Sequence, residues 1–235
     1  MFFVFYLHTC IFFCTFAAWK EWFNPKSKLG TMLEAFRKTH DYLVEHVQVP
    51  ARRVLQDEIN WSDRLIAIKG GRGVGKTDFL LNYAKEQRRL NPEESRHTLY
   101  VNFNDFYFTE HSLVEFAGEF VARGGRLLLI DQAFKYPNWS RELSQCFYSY
   151  PSLHIIFTAS SVMRLVERNT DIGSIVHPYN LRGFSFREYL NVTLGLKLPV
   201  FTLEDILQRH VDIARRITQI ISPLKYFQDY LHHGY

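Results

Sequence analysis

The sequence predicts an α/β fold in which a five-stranded parallel sheet is sandwiched by helices. Apolar runs of strand length alternate with longer helical patterns, which is typical of a parallel sheet covered on both faces. A glycine-rich loop at residues 70–77 directly follows the apolar run at residues 65–68 and precedes a helical pattern. The length of 235 residues fits one such domain with small additions.

The predicted elements follow in order along the chain. Apolar runs predict strands at residues 65–69, 98–103, 126–131, 154–158 and 175–181. Pro178 favours an edge position for the last strand, because proline cannot donate a hydrogen bond to a sheet ladder. Helical patterns begin at Met32 and are further predicted at residues 51–59, 77–90, 112–122, 137–149, 186–194, 203–221 and 224–231.

Residues 70–77 fit the phosphate-binding pattern G-x-x-x-x-G-K-[ST]. In such a loop the backbone N–H groups wrap a β-phosphate, Lys76 reaches the β- and γ-phosphates, and the Thr77 hydroxyl binds Mg²⁺. A helix starting at Thr77 directs the positive end of its dipole at the phosphates. The predicted ligands are therefore ATP and Mg²⁺. The predicted nucleotide-binding residues are Gly70, Gly71, Arg72, Gly73, Val74, Gly75, Lys76, Thr77 and Asp78.

A second motif is the strand Leu-Leu-Leu-Ile-Asp that ends at Asp131. Ligands of open α/β sheets bind at the carboxyl ends of the strands, which is where Asp131 lies. Its carboxylate is expected to hold Mg²⁺ through water, opposite Thr77. One strand is predicted between the loop and this motif. That extra strand indicates the ATPase branch of P-loop proteins, whose sheet order is 5-1-4-3-2.

Gln132 occupies the position that is usually glutamate in that branch. An amide cannot accept a proton at neutral pH, so general-base catalysis at this position is lost, although an amide still orients water. The sequence therefore predicts tight binding of ATP and slow hydrolysis. Asp105 and Glu110 follow the second strand and are alternative carboxylates at the same end of the sheet.

Four strings resemble prokaryotic AAA-type ATPases that carry a C-terminal domain with a nuclease-like fold. They are Ile-Lys-Gly-Gly-Arg-Gly-Val-Gly-Lys-Thr, Ile-Asp-Gln-Ala-Phe-Lys-Tyr-Pro-Asn-Trp, Ile-Ile-Phe-Thr-Ala-Ser-Ser and Leu-Arg-Gly-Phe-Ser-Phe-Arg-Glu-Tyr-Leu. The resemblance covers residues 32–235 and implies a P-loop NTPase fold of the AAA/ASCE type. It also implies that Thr158 or Ser160 senses the γ-phosphate. The predicted catalytic residues are Lys76, Asp131, Gln132, Thr158 and Ser160, and the predicted metal-binding residues are Thr77 and Asp131.

The sequence departs from the family strings at three points. Gln132 replaces glutamate, and Ala159 replaces a glycine that a strand end should tolerate. Residues 171–175 lack the arginine that can act in trans on a neighbouring nucleotide. An arginine of that kind contributes about 10³–10⁵ in rate. Substitutes are available at Arg164, Arg168 and Arg182, although a surface charge or a helix-end contact explains each of them as well.

The resemblance suggests three parts: an apolar extension with a linker at residues 1–31, an AAA-like core at 32–183, and a helical segment at 184–235. This last segment is expected to stop before the C-terminal domain of the family. Residues 2–19 are apolar and leave three alternatives open: an extension outside the functional protein, a membrane anchor, or a signal peptide. The missing positive charge before the apolar run disfavours a signal peptide, and His8 with two threonines weakens an anchor.

Composition narrows the function classes. The net charge is +4, and the positive residues are scattered along the sequence. They form no stripe of lysine and arginine, so the sequence gives no clear sign of a nucleic-acid or protein partner. The three cysteines form no metal-binding pattern, and a reducing, cytoplasmic location agrees with ATP as ligand, with a membrane-anchored form as the alternative. A homo-oligomer is possible. The predicted function is an ATPase core with weak hydrolysis. Alternatives are a nucleotide-binding switch or degenerate homologue without turnover and, less favoured, a P-loop kinase.

Overall fold

The computed structural model describes residues 25–48, 52–160 and 171–233 of the 235-residue chain. The apolar segment at residues 2–19 lies outside these ranges, and so do Arg164 and Arg168. In the described part of the chain, no helix combines the length and the apolar character needed to cross a membrane.

A parallel sheet forms the centre of the described chain. Its strands are β1 (Leu65–Gly70), β2 (Thr98–Asn102), β3 (Leu127–Asp131), β4 (His154–Ser160) and β5 (His177–Asn180). They are arranged in the order β2-β3-β4-β1-β5, and each neighbouring pair is parallel. This is the predicted order 5-1-4-3-2 counted from the other edge. The predicted α/β fold is therefore confirmed, and β5, which contains Pro178, lies at an edge as expected.

The helices are numbered in chain order over the described residues. They are α1 (Pro25–His46), α2 (Leu55–Glu58), α3 (Lys76–Leu90), α4 (Pro92–Ser95), α5 (Tyr107–Glu110), α6 (Leu113–Ala122), α7 (Trp139–Ser149), α8 (Phe186–Leu194), α9 (Leu203–Ile220) and α10 (Leu224–His233). A short 3₁₀ helix, Ala133–Lys135, follows β3. Most of the α-helices begin and end within two residues of the predicted bounds.

Strands β1 to β4 are buried on both faces, which explains their nearly continuous apolar sequences, whereas the edge strand β5 is mostly exposed. Along β1, Leu65 and Ala67 belong to one core cluster, whereas Ile66 and Ile68 belong to another. Side chains alternate between the faces of a strand, so the two clusters lie on opposite sides of the sheet. Helices α6 and α7 contribute to the first cluster, and α3 contributes to the second.

Helix α1 starts earlier than predicted. Residues 24–30 were expected to form a linker, but the helix begins at Pro25 and so crosses the predicted boundary at residue 32. Proline is favoured in the first turn of a helix, because its missing N–H is not needed there. The polar run after Pro25 carries little apolar periodicity, and the earlier start was therefore not visible in the sequence pattern.

The helix predicted at residues 51–59 is much shorter in the structure. Only Leu55–Glu58 is helical, and the residues just before it contact a glutamate that is distant in the sequence. The backbone N–H of Val54 donates to Glu188 Oε1 at 3.0 Å, and Arg53 Nε donates to the same atom at 3.3 Å. Val54 itself has helical dihedrals and is the residue that precedes α2, so Glu188 caps the start of this short helix.

Candidate nucleotide-binding site

A cavity of about 810 Å³ opens at the carboxyl ends of β1, β3 and β4. This is the end of a parallel sheet at which ligands bind. The cavity is lined by Gly70, Arg72, Gly73, Gly75, Lys76, Thr77, Asp78, Asp131, Gln132, Phe134, Lys135, Thr158 and Ser160. Of the predicted nucleotide-binding residues, Gly71 and Val74 are not part of this lining.

The glycine-rich loop has the backbone that phosphate binding needs. Gly73 and Gly75 have φ values of 84° and 86°, a left-handed conformation that glycine adopts without steric cost. Gly75 is also the residue that precedes α3, which begins one residue earlier than predicted, at Lys76. A Cβ atom at Gly70 would lie 2.5 Å from the backbone oxygen of Leu181, so only glycine fits there. The first residues of α3 line the cavity, so the N-terminus of this helix, whose free N–H groups bind anions, opens onto it.

Lys76 extends along the inside of the loop. Its Nζ donates to the carbonyl oxygens of Gly70 at 2.9 Å and Gly71 at 2.6 Å. Burial lowers the pKa of Lys76, and the nearby charge of Asp131 opposes that shift. These carbonyl contacts hold the ammonium inside the loop, within the cavity that a phosphate chain would enter.

Asp131 is the centre of a hydrogen-bond network and is only 2 % exposed. Its Oδ2 accepts from Thr77 Oγ1 at 2.7 Å and from Tyr100 Oη at 3.1 Å. Its Oδ1 accepts from Thr158 Oγ1 at 2.6 Å and from the Gln132 N–H at 3.0 Å. Burial, followed by the charge of Asp131, raises the pKa of Tyr100, which therefore stays a donor. Four donors fix the carboxylate in one orientation.

The pair formed by Thr77 and Asp131 fits a magnesium ion. Both offer oxygen atoms, the ligands that this hard cation prefers, and their side chains are in direct contact at 2.7 Å. The described residues contain no cluster of three or more acidic, histidine or cysteine side chains suited to a metal. Magnesium at nucleotide sites needs no such cluster, since it is held by one or two protein groups, phosphates and water.

Gln132 has an unusual backbone. Its φ is 56°, and no other non-glycine residue in the described ranges has a positive φ. Its N–H is shared between Asp131 Oδ1 and Thr158 Oγ1, at 3.0 and 2.8 Å. Such conformations are uncommon outside glycine and persist only where surrounding contacts enforce them. The half-buried side chain lines the cavity beside Asp131.

Thr158 and Ser160 lie at the end of β4 but have different surroundings. Thr158 is 1 % exposed, and its hydroxyl proton points to Asp131. A hydroxyl has one proton, so Thr158 cannot donate to a phosphate while it holds Asp131. Ser160 lies two residues further along and also lines the cavity. Ala159 between them is fully buried within β4, so the strand accepts alanine in place of glycine.

The two alternative carboxylates do not line the cavity. Neither Asp105 nor Glu110 is among its lining residues, and Asp105 Oδ1 instead accepts from the Tyr107 N–H at 2.9 Å. Arg182 is exposed and lines a different cleft. Arg164 and Arg168 lie outside the described residues.

The structure adds three residues that sequence reasoning did not assign to the site. Phe134 and Lys135 line the cavity from the 3₁₀ helix after Gln132, and Tyr100 donates to Asp131 from β2. The first two could have been found, since they follow Asp131 within the motif string. Tyr100 gave no signal, because its contact depends on the packing of β2 against β3.

A parallel sheet of this order with a phosphate-binding loop after β1 and an aspartate after β3 defines a P-loop nucleotide-binding protein. Residues 62–190, more than half of the chain, match the family described as AAA domain, and the chain belongs to this family. The nucleotide-binding AAA-like core is therefore established.

Individual relatives are more distant. The uncharacterized protein MJ1637 of Methanocaldococcus jannaschii is 27% identical over 165 residues, which cover 67% of this chain and 34% of that protein. The chain thus spans about a third of the length of this relative.

Solved structures with a similar fold include C. elegans PCH-2, at 18% identity over 71% of this chain and 49% of that one. The Aeropyrum pernix ORC1 protein in complex with DNA has 14% identity, covering 68% and 47% of the two chains. AMPPCP-bound DnaA from Aquifex aeolicus has 16% identity, covering 78% and 59%. All three TM-scores are 0.41, too low to support a statement on function.

Proposed function

We propose that this chain is an AAA-like core that binds ATP with Mg²⁺ and hydrolyses it slowly. The observation that carries the proposal is the geometry around Asp131. This carboxylate contacts Thr77 at 2.7 Å and lies beside Gln132, in the same cavity as Lys76.

Charge and backbone geometry both support binding of a polyphosphate. Three cationic side chains line the cavity, against two acidic ones; the cations are Arg72, Lys76 and Lys135. The N–H groups at the start of α3 add the partial positive charge of a helix N-terminus. Phosphate oxygens entering the loop replace the carbonyl oxygens that Lys76 contacts. Thr77 and Asp131 would hold Mg²⁺, which neutralises phosphate charge when it is bound.

A second cleft of about 810 Å³ borders the loop and is suited to the base. Its wall includes Leu181, whose backbone oxygen lies against Gly70. Tyr179 and Phe184 contribute aromatic surface to the same cleft. A cleft that combines aromatic surface with polar groups can hold the flat face of a base and contact its polar edge.

The chemistry at Gln132 supports slow turnover. Its amide oxygen can accept a hydrogen bond from the attacking water and orient it, but it cannot take the proton at neutral pH. Neither Asp105 nor Glu110 lines the cavity, so neither is well placed to supply the missing base. A positioned base contributes about 10²–10⁴ in rate.

The same observation favours a second function, a nucleotide-dependent switch with no significant turnover. Both functions require ATP binding, and they differ in phosphate release. Tight binding without release of phosphate on the timescale of minutes supports the switch. Multiple turnovers support the slow ATPase.

Four finer assignments belong to the same proposal. The four motif strings support membership of the prokaryotic group that carries a nuclease-like C-terminal domain. Residues 32–183 are proposed as the nucleotide-binding core, preceded by residues 1–31 and followed by a helical segment at 184–235. We also propose a cytoplasmic location, since ATP is the ligand, and a homo-oligomeric state, because a neighbouring copy could supply an arginine to the site.

Calorimetric titration with ATP and Mg²⁺ tests binding. Lys76→Ala removes the ammonium from the loop and should weaken ATP binding by at least about tenfold, the contribution of one charged hydrogen bond. Lys85→Ala is a matched control: Lys85 lies on the same helix and contacts the carbonyl oxygens of Glu45 and Val47, away from the cavity. Unchanged affinity in Lys76→Ala would overturn the assignment of the loop.

A further inference from the structure

Arg53 is a buried arginine that joins three distant parts of the chain. Only 9 % of the residue is exposed. Its Nη1 donates to the carbonyl oxygen of Val74, in the phosphate-binding loop, at 3.1 Å. Its Nη2 donates to the carbonyl oxygens of Gly183, at 3.1 Å, and Arg182. The guanidinium also lies 4.6 Å from the centre of the Phe184 ring. Neither sequence motifs nor the nucleotide cavity account for this residue.

Glu188 completes the network at the start of α8. Arg53 Nε donates to Glu188 Oε1 at 3.3 Å, and both side chains are at least nine-tenths buried. Glu188 Oε2 accepts from the N–H and the hydroxyl of Ser185, each at 2.8 Å, which forms a capping box. Burial acts to raise the pKa of Glu188, but the hydrogen bonds from Ser185 and Val54 and the charge of Arg53 together lower it. Glu188 is therefore an ionised anchor for the first turn of α8.

The network continues from α8 into α10. Phe186 in the first turn of α8 packs against Phe227 and Tyr230 of α10, with ring centres 5.2 and 5.1 Å apart. Tyr230 Oη also donates to the carbonyl oxygen of Phe184 at 2.8 Å. A shift in the segment at residues 182–188 therefore changes the surface on which α10 rests.

The other end of the network lies inside the loop. Val74 stands between Gly73 and Gly75, and its carbonyl oxygen faces Arg53 while its glycine neighbours line the cavity. A phosphate bound by the N–H groups of the loop fixes these peptide planes, because each N–H and the preceding carbonyl share one plane. The orientation of the Val74 carbonyl, and thus its bond to Arg53, depends on what the loop holds.

We infer that Arg53 is a positioning residue that couples nucleotide in the phosphate-binding loop to the packing of α8 and α10. The inference rests on the proposed function, since it requires that the loop binds a nucleotide. Arginine suits this role because its planar fork contacts the loop, the segment before α8 and Glu188 simultaneously. A buried ion pair contributes little net stability compared with apolar packing, so specificity of structure is the better reason for its presence.

Hydrogen–deuterium exchange of α8 and α10, with and without a saturating non-hydrolysable ATP analogue, tests the coupling. In the wild type the analogue should slow exchange in the first turns of α8 by at least about fivefold, the lower end of typical coupling. Arg53→Lys keeps a charge beside Glu188 but cannot contact three partners. In this variant the analogue should therefore slow exchange in α8 by less than about twofold. Glu188→Gln should reduce it in the same way. The analogue must be saturating because Arg53 also lines the cleft proposed for the base, so its substitution can weaken nucleotide binding.

Arg52→Lys is the matched control. Arg52 is the adjacent residue, its side chain is 59% exposed, and it pairs with Asp57 at the surface at 2.6 Å. This variant should retain the full nucleotide-dependent protection. Wild-type protection in Arg53→Lys at saturation overturns the inference, and so does nucleotide binding to the wild type without any change in α8. Failure of the wild type to bind nucleotide, measured separately by calorimetry, overturns the proposed function and the coupling with it.

Discussion

At the scale of single residues, Gln132 combines an amide, which is no base at neutral pH, with a backbone geometry that its neighbours enforce. Its left-handed backbone is held by two acceptors, Asp131 and Thr158. Backbone conformations of this kind cost energy and persist where the surroundings impose them. The side chain is therefore directed by the same contacts that orient Asp131. The position therefore has a fixed geometry but carries an amide, which cannot accept a proton at neutral pH.

Gln132→Glu should raise the rate of ATP hydrolysis by about 10²-fold or more, because it restores a carboxylate at a position that already faces the cavity. Phosphate release under multiple-turnover conditions measures the effect. The control is Gln132→Ala, which removes the amide without adding a base and should not accelerate the reaction. A Gln132→Glu rate equal to that of the wild type would contradict the idea that the missing base limits turnover.

The residues of the site were predictable to different degrees. Lys76, Thr77 and Asp131 follow from motifs of fixed spacing, since each motif is contiguous in the sequence. The roles of Tyr100 and Arg53 were not predictable, because they depend on contacts across large separations. Arg53 and Glu188 are 135 residues apart in the sequence. No local pattern marks such a pair, and only the folded chain brings it together.

At the scale of elements, α1 covers an edge of the sheet. β2 is an edge strand, and its outer backbone groups are satisfied by α1 rather than by another strand. Tyr100 N–H donates to His40 Nδ1 at 3.0 Å, and Arg37 donates to the carbonyl oxygen of Thr98. Covering an edge in this way prevents pairing with other chains. Helix α1 is therefore packed directly onto the sheet that carries the site.

Phe36→Ala tests this role of α1. Phe36 is 6% exposed and packs against Tyr107, Phe108 and Phe116, with ring centres 5.3–5.8 Å apart. Its removal should lower the free energy of unfolding by about 3–5 kcal/mol through lost burial and a residual cavity. Urea denaturation measures the change. Tyr42→Ala on the same helix is the control; Tyr42 is 62% exposed, and its loss should cost less than about 0.5 kcal/mol.

The strands were easier to predict than the helix ends for a physical reason. A strand buried on both faces must be apolar throughout, so β1, β3 and β4 are visible as continuous runs. Helix ends depend on individual capping contacts. Where the cap is local, as with Ser112 and the Glu115 N–H at 3.2 Å, the predicted start was correct to one residue. At α2 the capping acceptor is Glu188, which is distant in the sequence, and the predicted start at residue 51 was wrong.

At the scale of the whole molecule, the sheet separates two apolar layers, and α1 contacts both. Leu33 and Phe36 belong to one core cluster, whereas Val44 belongs to the other. His40 lies between these anchors, 2% exposed. The stability of the complete fold thus includes a histidine that is buried where α1 meets the edge of the sheet.

Burial, together with the charges of Arg37 and Arg88, lowers the pKa of His40 from 6.5 to about 4. Its Nδ1 accepts from the Tyr100 N–H, which requires that this nitrogen carry no proton. Protonation therefore favours the unfolded chain, in which the pKa is about 6.5. The stabilising contribution is present above about pH 6.5 and is lost progressively as the pH falls toward 4.

His40→Gln replaces the imidazole with an amide whose oxygen can still accept from Tyr100 N–H but does not titrate. Between about pH 7 and about pH 5, the wild type should lose about 2 kcal/mol more unfolding free energy than this variant. Urea denaturation at the two pH values measures the difference. His46→Gln, an exposed histidine on the same helix, should follow the wild type. Equal pH dependence in His40→Gln and the wild type would show that folding does not lower the pKa of His40, and would contradict this role of the buried imidazole.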